Sequence, residues 1–135
     1  MKKYILTGLI LFSFLAVLSS CGGGAVDAPV GTVISIDPST YSGDGIIDQT
    51  FTVTVKDENG VPLNDVIVYI SSSSTNILLY DSSGDPTGST MNAGTDANGV
   101  YNLNTYIYGG DYTAQLEFRS GSAYESVSIS VSTGG

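Results

Sequence analysis

The stretch Phe51–Ile70 (FTVTVKDENGVPLNDVIVYI) constrains the fold of this chain more than any other. Phe51, Val53 and Val55 fall on one side of an extended backbone, and Thr50, Thr52, Thr54 and Lys56 fall on the other. That period of two is the pattern of a half-buried strand. Val66, Val68 and Ile70 repeat it after a hinge of Asp57-Glu58-Asn59-Gly60 and Pro62, where Asn-Gly supplies positive φ for a reversal. Two strands with one apolar face each need a second sheet to bury that face.

The remaining chain supplies one. Thr32–Ile36 reads as a first strand ended by Asp37-Pro38, since proline cannot continue a central ladder. Residues Tyr41–Asp48 read as a polar loop, Asn76–Tyr80 as a short strand, and Asp81–Asn98 as a long turn-rich connection with a short strand near Ser89–Met91. Val100–Tyr108 follows with Tyr101, Leu103 and Ile107 inward, then Asp111–Phe118 with Tyr112, Ala114, Leu116 and Phe118 on one side. Ala123–Val131 closes the set, with Val127, Ile129 and Val131 inward and serines outward. Turn signals every ~8–12 residues between short alternating runs predict an all-β antiparallel sandwich of about seven strands.

Ahead of this lies a different kind of segment. Lys2 and Lys3 precede an apolar run, Tyr4–Leu18, and then Leu18-Ser19-Ser20-Cys21. A positive end, an apolar middle and small residues at the cut make residues 1–20 a secretory signal peptide, and the run is shorter than the ~20 residues of a spanning helix. Leu18-Ser19-Ser20-Cys21 resembles a bacterial lipobox, which implies diacylglyceryl attachment at the Cys21 sulfur and cleavage before it. Two or more acyl chains anchor stably where one does not. Residues 21–31, opened by Gly22-Gly23-Gly24, read as a flexible tether. The expected organisation is leader 1–20, lipidated cysteine and tether 21–31, and sandwich 32–135. Gly22 in place of an aspartate after the cysteine favours the outer membrane.

The charge narrows the partners. The formal charge is −9, and losing Lys2 and Lys3 with the leader takes it to −11. Such a surface repels nucleic-acid phosphates and anionic headgroups alike. With Cys21 the single cysteine, no internal disulfide forms, so the fold stands on packing alone. The chain has no histidine and no second thiol, so an enzyme is not expected.

Several of these pieces together resemble a bacterial immunoglobulin-like domain of the invasin/intimin type. They are Phe51–Val55 leading into Lys56-Asp57-Glu58-Asn59-Gly60-Val61-Pro62-Leu63, then Val66–Val68, Thr95-Asp96-Ala97-Asn98-Gly99-Val100, Gly110–Ala114 and Val127–Val131. The Asp-x-x-Gly-x-Pro and Thr-Asp-x-x-Gly pieces also occur in carboxypeptidase-regulatory-like and transthyretin-like modules. Either resemblance implies the sandwich, and the invasin type implies an adhesion, presenting or spacer module at the cell surface. The alternatives are an accessory subunit docked in a larger envelope assembly, or a calcium- or carbohydrate-binding module.

The immunoglobulin order brings Asp57–Asn64, Asp81–Asn98 and Arg119–Ser122 to one end together with the incoming tether. Asp37–Gln49, Ser71–Thr75 and Gly109–Gly110 go to the other end, expected to face away from the membrane. At the tether end Asp57, Asp65 and Asp96 are calcium candidates, since calcium takes six to eight oxygens; the same residue types also make turns without metal. Tyr69, Tyr106 and Tyr108 point outward by parity and are candidates for a protein- or glycan-binding surface. In the immunoglobulin order Tyr69 belongs to a different sheet from Tyr106 and Tyr108. Tyr112 stands where such domains place a tyrosine corner, its hydroxyl tied to backbone.

Overall fold

The computed structural model describes residues 25–134, all of them strand, turn or irregular chain. The leader 1–20 and Cys21 lie outside the described residues. The strands are β1 (Val33–Asp37), β2 (Thr40–Gly43), β3 (Ile47–Lys56), β4 (Ile67–Ser72), β5 (Ile77–Tyr80), β6 (Pro86–Gly88), β7 (Thr90–Gly94), β8 (Val100–Ile107), β9 (Tyr112–Ser120) and β10 (Ala123–Val131). They form two five-stranded sheets, ordered β1-β3-β8-β5-β6 and β2-β10-β9-β4-β7. This is an immunoglobulin-like sandwich.

The alternating runs do what their period dictates. Phe51, Val53 and Val55 of β3 and Val68 of β4 have no exposed surface, and they meet Leu116 and Phe118 of β9 and Leu103 and Ile107 of β8 in one core. Tyr101 is only half-buried at its edge. Thr105, the one polar inward position of β8, donates its hydroxyl to the Gln49 carbonyl at 2.9 Å. That bond satisfies a hydroxyl which would be costly to bury bare.

Three expectations are corrected. Ten strands form instead of about seven. The expected polar loop contains β2, and the long connection contains β6 and a five-residue β7. The sandwich is also not wholly antiparallel, because β2 runs parallel to β10, with Thr40 against Ser128 and Val131 against Gly43. The third correction concerns the tether: from Ala25 onward it lies on the domain. Val26 bridges Val66, its amide donating to the Asp65 carbonyl at 2.8 Å and its carbonyl accepting from Ile67 at 2.7 Å. Ala28 is buried, and the Thr32 hydroxyl donates to the Pro29 carbonyl at 2.6 Å. The segment takes the sheet position beside the start of β4, which β9 leaves open because its pairing begins only at Tyr69–Arg119.

The two ends sort largely as expected. Gly31 packs on Glu58, Gly121 on Ala28, and Gly99 on the Val55 carbonyl and Leu63 amide, so Thr32 starts at the end carrying the 57–64, 95–99 and 119–122 turns. Gly109 packs under Ile46 at the other end. The Asp81–Asn98 connection departs from this. It turns at Asp81–Asp85 part-way along the sheet, runs back as β6, and crosses to the other sheet as β7.

Candidate functional site

One local device recurs three times. At Asp57, Asp81 and Asp96 the carboxylate Oδ1 accepts two backbone amides, two and four residues ahead. The donors are Asn59 and Val61 (2.8 and 2.9 Å), Ser83 and Asp85 (2.9 and 2.9 Å), and Asn98 and Val100 (2.8 and 2.9 Å). In each case the aspartate carbonyl also accepts the amide of the glycine three residues on. Those glycines, Gly60, Gly84 and Gly99, have φ of 81°, 84° and 70°, a region that glycine enters without steric penalty. The aspartates are built into the reversals, each fastening its own turn.

This decides what the calcium candidates can share. Asp57 and Asp96 each commit one oxygen to a turn. Asp65 sits at φ 54°, exposed, with its amide and carbonyl bonded to Thr95 and Val26. All three lie at the tether end, yet among the described residues no three acidic, histidine or cysteine side chains come together as a metal-holding group. Asp81 carries the same Asp-x-x-Gly spacing as the other two turns, and that spacing was its available signal.

The tyrosines divide between sheets. Tyr69 on β4 lies on the outer face of the second sheet, its hydroxyl 3.4 Å from Asp27 Oδ1. Tyr106 and Tyr108 pack edge to face on the first sheet, ring centres 4.9 Å apart, with Tyr108 just past the end of β8. The structure does not bring the three into one surface. Tyr112 forms the expected corner, its hydroxyl donating to the Tyr108 carbonyl at 2.8 Å. Burial raises its pKa, and Tyr41 adds to the shift.

Two grooves open on the surface. One, of about 570 Å³, crosses the outer face of the second sheet and is lined by hydroxyls of Thr40, Ser42, Thr113, Ser128 and Ser130, with no charged side chain. The other, of about 480 Å³, lies at the flank where β7 of one sheet faces the first half of β8 in the other. Met91, Ala93 and Tyr101 give it apolar surface, and Asp81, Asp96 and Asn102 give it polar surface. Burial, and then the Asp81 carboxylate, push the Tyr101 hydroxyl above its ordinary pKa. The flank was not foreseen, because it exists only through the crossing of the chain from β6 to β7.

Fold and surface together define a small immunoglobulin-like sandwich whose reversals are pinned by carboxylates. No protein-family model matches the chain, and no curated protein matches it in sequence. Among solved structures, domains 5–6 of the S-layer protein SbsC align with a TM-score of 0.54 and 21% identity, over 76% of this chain and 44% of that one. Domains 1–6 of the same surface layer protein align with a TM-score of 0.56 and 20% identity, over 76% of this chain and 13% of that one. Domains 4 and 5 give 0.55 and 19%, over 73% and 50%. At these identities the likeness is one of fold, and this chain spans half or less of each.

Proposed function

We propose that the chain is a non-catalytic module of the bacterial cell envelope, held by lipid on Cys21 at the outer membrane and serving as a binding or spacing unit. The placement of Ala25–Gly31 carries the proposal. The domain's own packing starts four residues after the cysteine that the lipobox-like Leu18-Ser19-Ser20-Cys21 marks for acylation. Four residues reach at most ~14 Å, so the sandwich would stand close to the headgroups with its 57–64, 95–99 and 119–122 turns toward them. The fold shared with S-layer domains supports an envelope setting. The invasin-type resemblance supports a presenting or adhesive role, and the strongly acidic surface supports a protein or glycan partner over nucleic acid.

The anchor is tested by Cys21→Ser. The variant is expected in the soluble extracytoplasmic fraction, while the unaltered chain sediments with membranes. A variant that still sediments removes the lipid from the proposal. An accessory-subunit role is the second reading, favoured by the open flank at β7.

A further inference from the structure

We propose that the outer edge of β7 and the groove beside it form a strand-addition site for an extended polypeptide segment with Lys or Arg at alternate positions. This deepens the docking reading above, and it does not depend on the lipid.

The backbone comes first. Ser72 donates to the Ser89 carbonyl at 2.8 Å, and Thr95 donates to the Val66 carbonyl at 3.1 Å. Antiparallel strands alternate between residues that bond the partner and residues that face away. Met91 and Ala93, between these two, therefore also face β4, in register with Ile70 and Val68. The amides and carbonyls of Thr90, Asn92 and Gly94 point outward, and no strand pairs with them among the described residues. β7 also carries none of the devices that protect an edge: no lysine, no proline and no inward charge. By contrast β6, the edge of the other sheet on this flank, is three residues long and starts with Pro86.

The groove gives such a strand somewhere to put its side chains. β3 pairs with β8 from Val100 onward, but β5 covers only Asn104–Ile107, because the Asp81 turn carries the chain away at Tyr80. The first half of β8 is left facing the flank. A strand added to β7 would direct alternate side chains toward the other sheet. They would enter the groove over Met91, Ala93 and Tyr101, and meet Asp81 and Asp96 at its walls.

Charge selects the occupant. The groove lining holds two carboxylates and no Lys or Arg. Each carboxylate is held by its turn through Oδ1, which fixes where the charge sits. Long cationic side chains can lie along Met91 and Tyr101 and reach those carboxylates. A second copy of this chain is the wrong occupant, since its β7 has no cation to offer and its charge after the leader is −11.

The test uses the full chain as isolated from cells and fluorescein-labelled octapeptides read by anisotropy: alternating Val-Lys, alternating Val-Glu, and Val-Lys N-methylated on every amide. Val-Lys is expected to bind and Val-Glu to give no signal. N-methylation is expected to weaken binding at least about tenfold by removing ladder bonds. Asn92→Pro, which removes an outward amide and leaves β4 pairing intact, should do the same. Asp81→Asn should weaken binding and flatten its salt dependence. Equal binding of the N-methylated peptide would mean simple charge attraction and would overturn the proposal, as would no binding of Val-Lys. The methylated probe decides even if Asn92→Pro misfolds. Cys21→Ser fractionation reads the anchor separately.

Discussion

Gly121→Ala is a direct test of the docked segment Ala25–Gly31. Gly121 has φ 59°, and a Cβ there would penetrate the Ala28 carbonyl, with the Ala28 carbonyl carbon 3.1 Å away. The left-handed conformation costs an alanine ~1–2 kcal/mol, offset by ~0.4–1 kcal/mol of lost unfolded-state entropy. The clash is with backbone, so no rotamer change relieves it. The neighbour with least holding it is the segment itself, fastened through Val26 by bonds of 2.8 and 2.7 Å. Releasing those two forfeits ~1 kcal/mol each, and the ordering entropy regained offsets part of that. The expected net loss is thus no more than ~3 kcal/mol, or a Tm lower by up to ~12 °C. Amide hydrogen exchange by NMR locates the loss. Protection should collapse at Val26 and Ile67, whose amides make the bridge, and should fall at Val68 and Leu116 only by the global loss. If Ile67 keeps its protection relative to Leu116, the clash is absorbed elsewhere and the segment is more firmly held than its two bonds imply.

Three further outcomes are expected. Tyr112→Phe removes the 2.8 Å bond to the Tyr108 carbonyl and should destabilise by ~1 kcal/mol; an unchanged urea midpoint would show that the corner is decorative. Ile46, a β-branched residue at φ 57° and 73% exposed, should give a more stable protein as Ile46→Asn, by ~1 kcal/mol in thermal unfolding, and a lower Tm would refute the strain. The Thr133 amide, then its hydroxyl, bond Asp111 Oδ1 and hold that carboxyl below its ordinary pKa. A lowered pKa gives stabilisation that is present above the unfolded value, ~3.9, and is lost as pH falls through the folded one. The Thr133 amide resonance should therefore hold steady from pH 7 to 5 and move only in stronger acid; movement near pH 5 would contradict the assignment.

Much of the sandwich was legible because its signals are local. A period of two in Phe51–Val55 and Val127–Val131 specifies which face is buried, and Asp-x-x-Gly specifies where the chain reverses. The features that were missed depend on partners far away in sequence. Thr40–Gly43 has no apolar alternation, and it is a strand because β10 lies beside it. Val26 and Ala28 sit in a run of Gly, Ala and Pro that reads as coil, yet a vacant sheet position beside β4 captures them. The β7 flank likewise arises from where β5 stops, which depends on a turn at Asp81 that looked like any other in a long polar connection. Ile46 had no local signal, since nothing in Asp44-Gly45-Ile46-Ile47 requires a left-handed isoleucine.

The packing of Ala25–Gly31 bears on where a protease could enter the chain. In an anchored domain on a slack stalk, the stalk is the natural place for a protease to cut. Here Ala28 is under a turn and Val26 is hydrogen-bonded into a sheet, so an enzyme would have to pry the segment loose before cleaving it. Cleavage within Ala25–Gly31 would therefore follow the opening of the two Val26 bonds, at a rate set by that local opening.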